Sequence, residues 1–252
     1  MTARWVAPFG NRVNAAIMKH AASHPDEEIC GMVLAASDGW QYRKLENKAT
    51  VRRDAFFIDR AQLPTTRSPA AIVHSHPNGL AFPSFADMRQ QAASAVPWGI
   101  VVPPPHPDRG VFWFGDGITY PLMRRPYRHG VTDCYALIRD WYAAKAGLAL
   151  IDRPRHWNWW QQGDDLYAAY FEQAGFYRLD DDARLQRGDI ALAALLSPVL
   201  NHAMILLDDG LILHHPAGRH GFDAMRLPRV EPVERWRRYL QFWVRHKSWQ
   251  KG

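Results

Sequence analysis

Cysteine is scarce in this chain, whose 252 residues contain two, Cys30 and Cys134. Two thiols so far apart cannot build a disulfide framework, so each is judged by its own surroundings. Long apolar runs are absent, and a mean hydropathy of -0.35 predicts no membrane span. The first ten residues lack a long apolar core and a small-residue cleavage site. No secretory signal is therefore expected, and synthesis in the cytoplasm is the default.

The remaining composition is that of an ordinary folded protein with one or two domains. Hydrophobic residues make up 47% and charged residues 22%, which excludes disordered and collagen-like classes. The net charge of +6 favours an anionic partner such as a cell-wall polymer, a nucleic acid or an acidic protein, although solubility explains it equally well. The densest basic segment, residues 235–247, interleaves arginines with aromatic rings. Its spacing favours a packed terminal helix or strand over nucleic-acid binding.

The pattern of apolar residues predicts two domains. The first part predicts helices over 11–23 and 84–94 and strands over 29–35, 70–74 and 111–114. Residues 121–130 are polar and break the periodicity, so we place the domains at 1–121 and 122–252. The second part predicts helices over 133–146 and 164–174 and then strands near 189–193, 202–207 and 211–214. Helices followed by strands indicate an α+β domain.

The first group of candidate site residues is His74, His76 and Asp87. Histidines two positions apart on a strand point to the same side. The turn at residues 77–79 can bring a helix start back towards them. Two imidazoles and a carboxylate, with a fourth position for water, are the open ligand set of a catalytic zinc.

Each of these residues also has a plainer interpretation. Residues 84–87 have the Ser-x-x-acid pattern of a helix capping box. A His-x-His pair alone is weak evidence, and Glu28 can be a solvated acid ahead of a strand. Cys30, which lies among apolar neighbours, is favoured as buried packing over a metal ligand.

Three segments together resemble the JAMM (MPN+) metalloprotease family: EICG at 28–31, HSHP at 74–77 and SFAD at 84–87. The resemblance covers residues 10–118 and implies a mixed α/β domain. It further implies zinc bound by His74, His76 and Asp87, Glu28 as the base that activates water, and Ser84 as a donor that stabilises the transition state. All five positions are filled.

The second candidate site begins with Cys134, at the start of a predicted helix with Thr132 or Asp133 as its N-cap. The positive end of the helix dipole is predicted to lower the pKa of this thiol. Asp133 opposes that effect unless it caps the helix or faces solvent. A cysteine that fills a core is an equally good interpretation of the isolated residue. A nucleophilic thiol needs a histidine, and His202 begins an apolar strand that returns through a hairpin.

The hairpin loop decides which histidine shares a face with His202. A two-residue turn at 209–210 puts His215 on that face, whereas a three-residue loop at 208–210 that ends in a left-handed glycine puts His214 there. The loop sequence Asp-Asp-Gly, with glycine third, favours the longer form. We therefore choose His214 as the residue that orients His202 and keep His215 as the alternative.

The second part resembles the NlpC-type papain-like peptidases in YRHG at 127–130, DC at 133–134, GDI at 188–190 and NH at 201–202. These enzymes typically cut stem peptides of bacterial peptidoglycan. The resemblance implies an α+β domain in which Cys134 is the nucleophile, His202 the general base and then acid, and His214 the residue that fixes its tautomer. It also implies that Tyr127 lines the site. The sequence departs from the family at Tyr135, where serine is usual. This difference bears on the expected shape of the pocket floor.

The tryptophans at 157, 159 and 160 form an aromatic cluster. For these rings, partial burial in a core or between domains is favoured over stacking on a sugar.

A JAMM domain followed directly by an NlpC-type domain resembles the tail tip assembly proteins of lambda-like phages over nearly the whole chain. That resemblance implies a virion tail tip component, assembled in the host cytoplasm and acting at the bacterial cell wall. The implied partners are other tail tip proteins and peptidoglycan, with no membrane span and no nucleic acid. The expected function is hydrolysis of wall peptides by a cysteine endopeptidase that follows a zinc metallopeptidase-like domain.

Two alternatives belong to other classes. A structural plug or assembly factor would use both folds for contacts within the tail, without catalysis. An isopeptidase that acts on a ubiquitin-like modifier would account for the first domain and leave the second unexplained.

Overall fold

A computed structural model describes residues 8–65, 67–104, 110–218 and 220–249. The chain divides into two compact units between Thr119 and Tyr120, whereas the sequence places the boundary after Pro121. Helices and strands occur in both units, so the predicted α+β class is confirmed. Residues 1–7, which belong to the segment for which no secretory signal is expected, lie outside the described ranges. Among the described residues, no helix has both the length and the apolar character needed to cross a bilayer.

The first unit contains a five-stranded sheet and two helices. In chain order they are α1 (Gly10–Ala22), β1 (Cys30–Ala36), β2 (Gly39–Leu45), β3 (Ala71–Ser75), α2 (Phe85–Ser94), β4 (Trp98–Val101) and β5 (Val111–Phe114). The sheet order is β2-β1-β3-β4-β5. Strands β3 and β4 run parallel because α2 forms the crossover between them, and the other pairs are antiparallel.

Helix α1 covers one face of this sheet. The predicted apolar face of Val13, Ile17 and Ala21 is fully buried, in one cluster with Val73 and Trp113 of the strands. Burying a side chain such as Ile17 contributes roughly 1.5–3 kcal/mol. This packing leaves the end of β3 free to carry polar side chains.

The second unit is built on a six-stranded antiparallel sheet. Its elements are β6 (Tyr127–Arg128), α3 (Cys134–Ala146), α4 (Leu166–Tyr170), β7 (Phe176–Arg178), β8 (Ile190–Ala193), β9 (His202–Leu206), β10 (Leu211–His214), β11 (Phe222–Asp223), β12 (Arg229–Pro232) and β13 (Leu240–His246). The sheet order is β12-β10-β9-β8-β13-β7, while β6 pairs with β11 in a separate ribbon. Helix α3 packs on the sheet through Leu137, Ile138 and Trp141.

Two segments of the second unit refine the sequence prediction. The helix predicted over 164–174 is limited to α4, and turns follow it as far as Gly175, whose φ of 93° is left-handed. The basic and aromatic segment at 235–247, predicted as a helix or a strand, contains strand β13 between β8 and β7. Gly147 ends α3 with a φ of 64°, as predicted.

Candidate active sites

Pairing of β1 with β3 aligns the predicted base with the predicted metal ligands. The backbone of Ile29 bonds to Ser75, accepting from its amide at 3.1 Å and donating to its hydroxyl at 2.9 Å. The antiparallel register therefore places Glu28 opposite His76. His74 lies two residues earlier on the same face of β3.

The three predicted ligands converge on one point. The Nε2 atoms of His74 and His76 lie 3.0 Å apart. Asp87 places Oδ1 3.3 Å from Nε2 of His74 and Oδ2 3.3 Å from Nε2 of His76. A tetrahedral zinc ion with bonds of about 2.0–2.1 Å holds neighbouring donor atoms roughly 3.3 Å apart, so the spacing fits this ion.

The surroundings of the ligands also suit a metal. His76 donates from Nδ1 to the Leu80 carbonyl at 2.7 Å, which leaves Nε2 unprotonated in the neutral ring. Phe56 stacks on the His74 ring at 4.6 Å, and among the described residues Nδ1 of His74 has no hydrogen-bond partner. Although burial opposes ionisation, the two histidines hold the pKa of Asp87 well below its usual range. The donor set is therefore two imidazoles and a carboxylate anion.

The capping box predicted as a plainer interpretation is also present. The Ser84 hydroxyl accepts from the Asp87 amide at 3.1 Å, and the Ser84 amide donates to Oδ2 of Asp87 at 2.7 Å. The cap and the ligand geometry coexist, because the cap orients the carboxylate towards the histidines. The Ser84 hydroxyl accepts in this arrangement, so its own hydrogen remains available to donate.

Glu28 is buried beside this cluster. Burial raises the pKa of its carboxyl to about 7, against the opposing influence of His76. Cys30 is also buried, and burial raises the pKa of its thiol to about 12. Its sulfur lies 3.7 Å from the Leu45 carbonyl, and within the described ranges the metal-competent group consists of the two histidines and Asp87. Cys30 thus has the packing role predicted for it.

In the second unit, Cys134 is the first residue of α3 and Asp133 is the N-cap, with Oδ1 2.9 Å from the amide of Ala136. The thiol lies 3.3 Å from the hydroxyl of Tyr167. The prediction of a lowered thiol pKa is wrong. Burial, and after it the charge of Asp133, raises the pKa of Cys134 to about 11, because lost hydration outweighs the helix dipole.

Cys134 and His202 line one cavity of about 440 Å³. Burial is the largest influence on the pKa of the Cys134 thiol, and the backbone of Ala203, the residue after His202, acts in the opposite direction and lowers it. Aromatic rings make up much of the cavity wall, including Tyr127, Tyr135, Trp157, Trp159, Trp160, Tyr167 and Tyr170. The three tryptophans are therefore packed against one another and also exposed in part to the cavity.

The hairpin has the longer loop favoured by its sequence. Strands β9 and β10 pair Met204 with His214, and the turn occupies residues 208–210. His202 then lies on the face of His214, and its Nε2 is 3.0 Å from Nδ1 of His214. His215 faces the other side, where its Nε2 donates to the Arg226 carbonyl at 3.0 Å. The hairpin therefore places His214, and not His215, beside His202.

Two tyrosines flank this site in different ways. Tyr127 in β6 is buried, with its ring 6.4 Å from that of Trp157, and burial raises the pKa of its hydroxyl. Tyr135 donates its hydroxyl to the Ile151 carbonyl and lies beneath the guanidinium of Arg155 at 5.5 Å. The tyrosine that replaces the usual serine thus fills a wall of the cavity.

Three residues near Cys134 and the histidines were not singled out from the sequence: Arg155, Tyr167 and Glu231. Arg155 binds Asp133, Tyr167 contacts the thiol, and Glu231 contacts His214. Each lies in a segment distant from its partner and belongs to no local motif, so only the tertiary fold brings them together.

Two known protein families match this chain, one in each unit. Residues 10–114 match prokaryotic homologs of the JAB domain, and residues 124–237 match the NlpC/P60 family. Tail tip assembly protein K of Escherichia phage lambda is 37% identical over 180 residues, which cover 71% of this chain and 83% of that protein. This chain belongs to the tail tip assembly protein K family. The protein of that name from Escherichia phage N15 is 32% identical over 218 residues, 84% of this chain and 86% of its own.

Solved structures similar to this K family member include the NlpC/p60 domain of the peptidoglycan hydrolase SagA. That structure has a TM-score of 0.32 and 19% identity, and the match covers 49% of this chain and 89% of that one. An NlpC/P60 family protein from Bacillus cereus has a TM-score of 0.32 and 11% identity, with coverage of 90% and 66%. The predicted order of a JAB-type domain followed by an NlpC-type domain is confirmed for this member of the K family.

Proposed function

We propose that this protein is a phage tail tip component that hydrolyses wall peptides through a cysteine endopeptidase site. The relatives it matches are named tail tip assembly proteins, so other tail tip proteins are its expected partners. It would be assembled in the host cytoplasm and act at the cell wall from the virion. The observation that carries the proposal is that Cys134 and His202 share a cavity while His202 is hydrogen-bonded to His214.

The cysteine site can perform acyl transfer with its own residues. The raised pKa keeps the thiol of Cys134 protonated at neutral pH, so His202 takes its proton as sulfur attacks the peptide carbonyl. A carbon–sulfur bond forms, the peptide carbon–nitrogen bond breaks, and His202 returns the proton to the leaving amine. Water then hydrolyses the acyl-enzyme with His202 as base and restores the thiol. Tyr127 lines the cavity in which the substrate would lie.

For the first unit we propose a zinc metallopeptidase-like site. His74, His76 and Asp87 would hold the ion, which supplies Lewis-acid chemistry towards water and a carbonyl. Glu28 would take a proton from water, which the strand register supports by setting it opposite His76, and Ser84 would donate its hydroxyl hydrogen. The spacing of the donor atoms supports this assignment.

Cys134→Ala tests the cysteine site. The variant is expected to lower the release of soluble peptides from purified peptidoglycan by at least about 10³-fold, because the nucleophile is lost. The full-length chain is incubated with the wall polymer, and new amino groups are measured against time. Cys30→Ala is the matched control, since it removes the buried thiol of β1 and is expected to retain the activity. Equal release by wild type and Cys134→Ala would remove the second site from the proposal.

A structural role in tail assembly is the second candidate. The names of the relatives, which are tail tip assembly proteins, favour it. The raised pKa of the Cys134 thiol, about 11, favours it too, because the thiol is unreactive without a base. Tails that assemble normally with Cys134→Ala but fail to release wall peptides would assign catalysis. Tails that assemble normally, with wall release unchanged in the variant, would favour the structural role.

A further inference from the structure

A carboxylate lies behind the two histidines of the cysteine site. Glu231 in β12 pairs with Ile212 of β10, so its side chain shares a face with His214 two residues further along. Oε2 of Glu231 is 3.2 Å from Nε2 of His214. Trp236 donates from Nε1 to the same oxygen at 3.0 Å. The described structure thus contains a continuous line of side chains from His202 through His214 to Glu231.

Glu231 is ionised in this setting. Although burial opposes ionisation, the hydrogen bonds from Trp236 and His214 lower the pKa of the Glu231 carboxyl. The guanidinium groups of Arg229 and Arg235 each lie 3.9 Å from its other oxygen, Oε1. These arginines are largely exposed and contribute modestly. A carboxylate has no hydrogen to donate, so Glu231 can only accept from His214.

The direction of the hydrogen bond between His214 and Glu231 fixes the direction of the bond between His202 and His214. Because Glu231 accepts, the hydrogen of neutral His214 is on Nε2 and its lone pair is on Nδ1. That lone pair, 3.0 Å from Nε2 of His202, requires a hydrogen on the latter atom. The lone pair of His202 is then on Nδ1.

We propose that Glu231 is a positioning residue that sets the tautomers of His214 and His202, so that the ring nitrogen of His202 with a free lone pair, the one able to accept a proton, is Nδ1. The inference rests on the proposed function in taking His202 as the base. When the proton moves from sulfur to Nδ1, a thiolate and an imidazolium form. The hydrogen on Nε2 of His202 is already bound to His214, so no other hydrogen bond in the line has to reverse.

The charge of Glu231 has a second effect on this step. The imidazolium of His202 lies next to His214, which is itself hydrogen-bonded to the carboxylate. A negative charge at the end of the line stabilises the positive charge that develops on His202. Glutamine at position 231 would keep the acceptor oxygen and lose this charge.

The tautomers are measured directly in full-length protein labelled with ¹⁵N-histidine. Long-range ¹H–¹⁵N correlation spectra distinguish protonated from unprotonated ring nitrogens, and His202→Gln assigns one set of signals. Wild type is expected to show hydrogen on Nε2 of both His202 and His214. A wild-type spectrum with the hydrogen of His214 on Nδ1 overturns the proposal without any variant at position 231.

Variants at position 231 separate tautomer control from folding. Glu231→Gln keeps an acceptor oxygen and is expected to keep both tautomers, whereas Glu231→Leu removes the acceptor and is expected to mix them. Peptide release by Glu231→Leu is expected to fall in kcat by roughly 10–100-fold with KM unchanged, a typical loss for a residue that orients another. Glu231→Gln is expected to rescue most of this loss. Unmixed tautomers in a folded Glu231→Leu protein contradict the proposal.

Glu234→Gln is the matched control, because Glu234 is an exposed carboxylate three residues away that pairs with Arg237. It is expected to leave the tautomers and kcat unchanged, and an equal loss in this variant overturns the proposal. Failure of the proposed function has a different signature: peptide release would be unaffected by Cys134→Ala. In that case the ¹⁵N spectra still decide whether Glu231 sets the tautomers.

Discussion

Arg155→Met is expected to destabilise the second unit by about 3–5 kcal/mol, because it leaves a buried carboxylate without its cation. Arg155 donates to Oδ2 of Asp133 from Nε at 3.2 Å and from Nη2 at 2.7 Å. Its Nη1 donates to Asp152 at 3.0 Å and to the carbonyl of Arg153 at 2.8 Å. Both Arg155 and Asp133 are buried, so solvent cannot replace the lost contacts.

The pair also supports the cysteine site. Asp133 is the residue before Cys134, and its charge raises the pKa of the thiol, whereas Arg155 lowers it. Removing Arg155 is therefore expected to slow alkylation of Cys134 by iodoacetamide at neutral pH, since less thiolate forms. The same substitution thus affects stability and thiol reactivity through one buried interaction.

The change in the free energy of unfolding is best measured at one element of the second unit, because a chain with two units does not unfold in a single transition. Hydrogen exchange of the α3 amides, followed by mass spectrometry, reports the opening of the second unit. Asp133→Asn combined with Arg155→Met is expected to recover most of the loss, because asparagine still caps the helix and carries no charge. Arg153→Met, at a half-buried arginine that binds Gln173 and Tyr170, is the matched control and is expected to cost about 1 kcal/mol or less.

The pH dependence gives an independent check. In wild type, and against the cost of burial, Arg155 and His129 hold the pKa of Asp133 well below its usual range. A lowered folded-state pKa contributes stability at neutral pH that is lost as the pH falls. Without Arg155, burial favours the protonated acid, so the penalty of Arg155→Met is expected to shrink between pH 7 and pH 5. A penalty that is constant over this range, or no recovery in the double variant, would contradict the charge argument.

The parts of the two sites that follow from local rules could be predicted. The loop Asp208–Gly210 determined the hairpin register, and the register placed His214 beside His202. The strand period placed His74 and His76 on one side, and the capping pattern at Ser84 was real. These features depend on a few neighbouring residues, which is why sequence spacing is sufficient for them.

The remaining features depend on packing that sequence spacing does not contain. Glu231 reaches His214 because β12 adds to the edge of β10, and Arg155 reaches Asp133 from a loop after α3. The raised pKa of Cys134 has the same origin: the helix dipole is local and was anticipated, whereas desolvation is set by the side chains that surround the sulfur.

Asp87→Asn is expected to weaken zinc binding by at least about 100-fold while preserving the start of helix α2. The asparagine oxygen can still accept from the Ser84 amide, as Oδ2 does at 2.7 Å in the wild type. The other terminal atom becomes an amide nitrogen, which donates hydrogen and is no metal ligand. The substitution therefore separates the two roles of Asp87, as a cap and as a ligand.

Zinc binding is measured as metal content after dialysis and as the rise in melting temperature on adding zinc. Wild type is expected to bind about one ion per chain and to gain about 2.7 kcal/mol when free zinc is 100 times Kd. Asp87→Asn is expected to show neither effect, with stability without zinc within about 1 kcal/mol of wild type, whereas Asp87→Ala also loses the cap and costs about 1 kcal/mol more. His24→Ala, at an exposed histidine of the same unit, is expected to bind zinc normally. If Asp87→Asn binds zinc as wild type does, the carboxylate is a cap alone, and the first unit would need another explanation for its paired histidines.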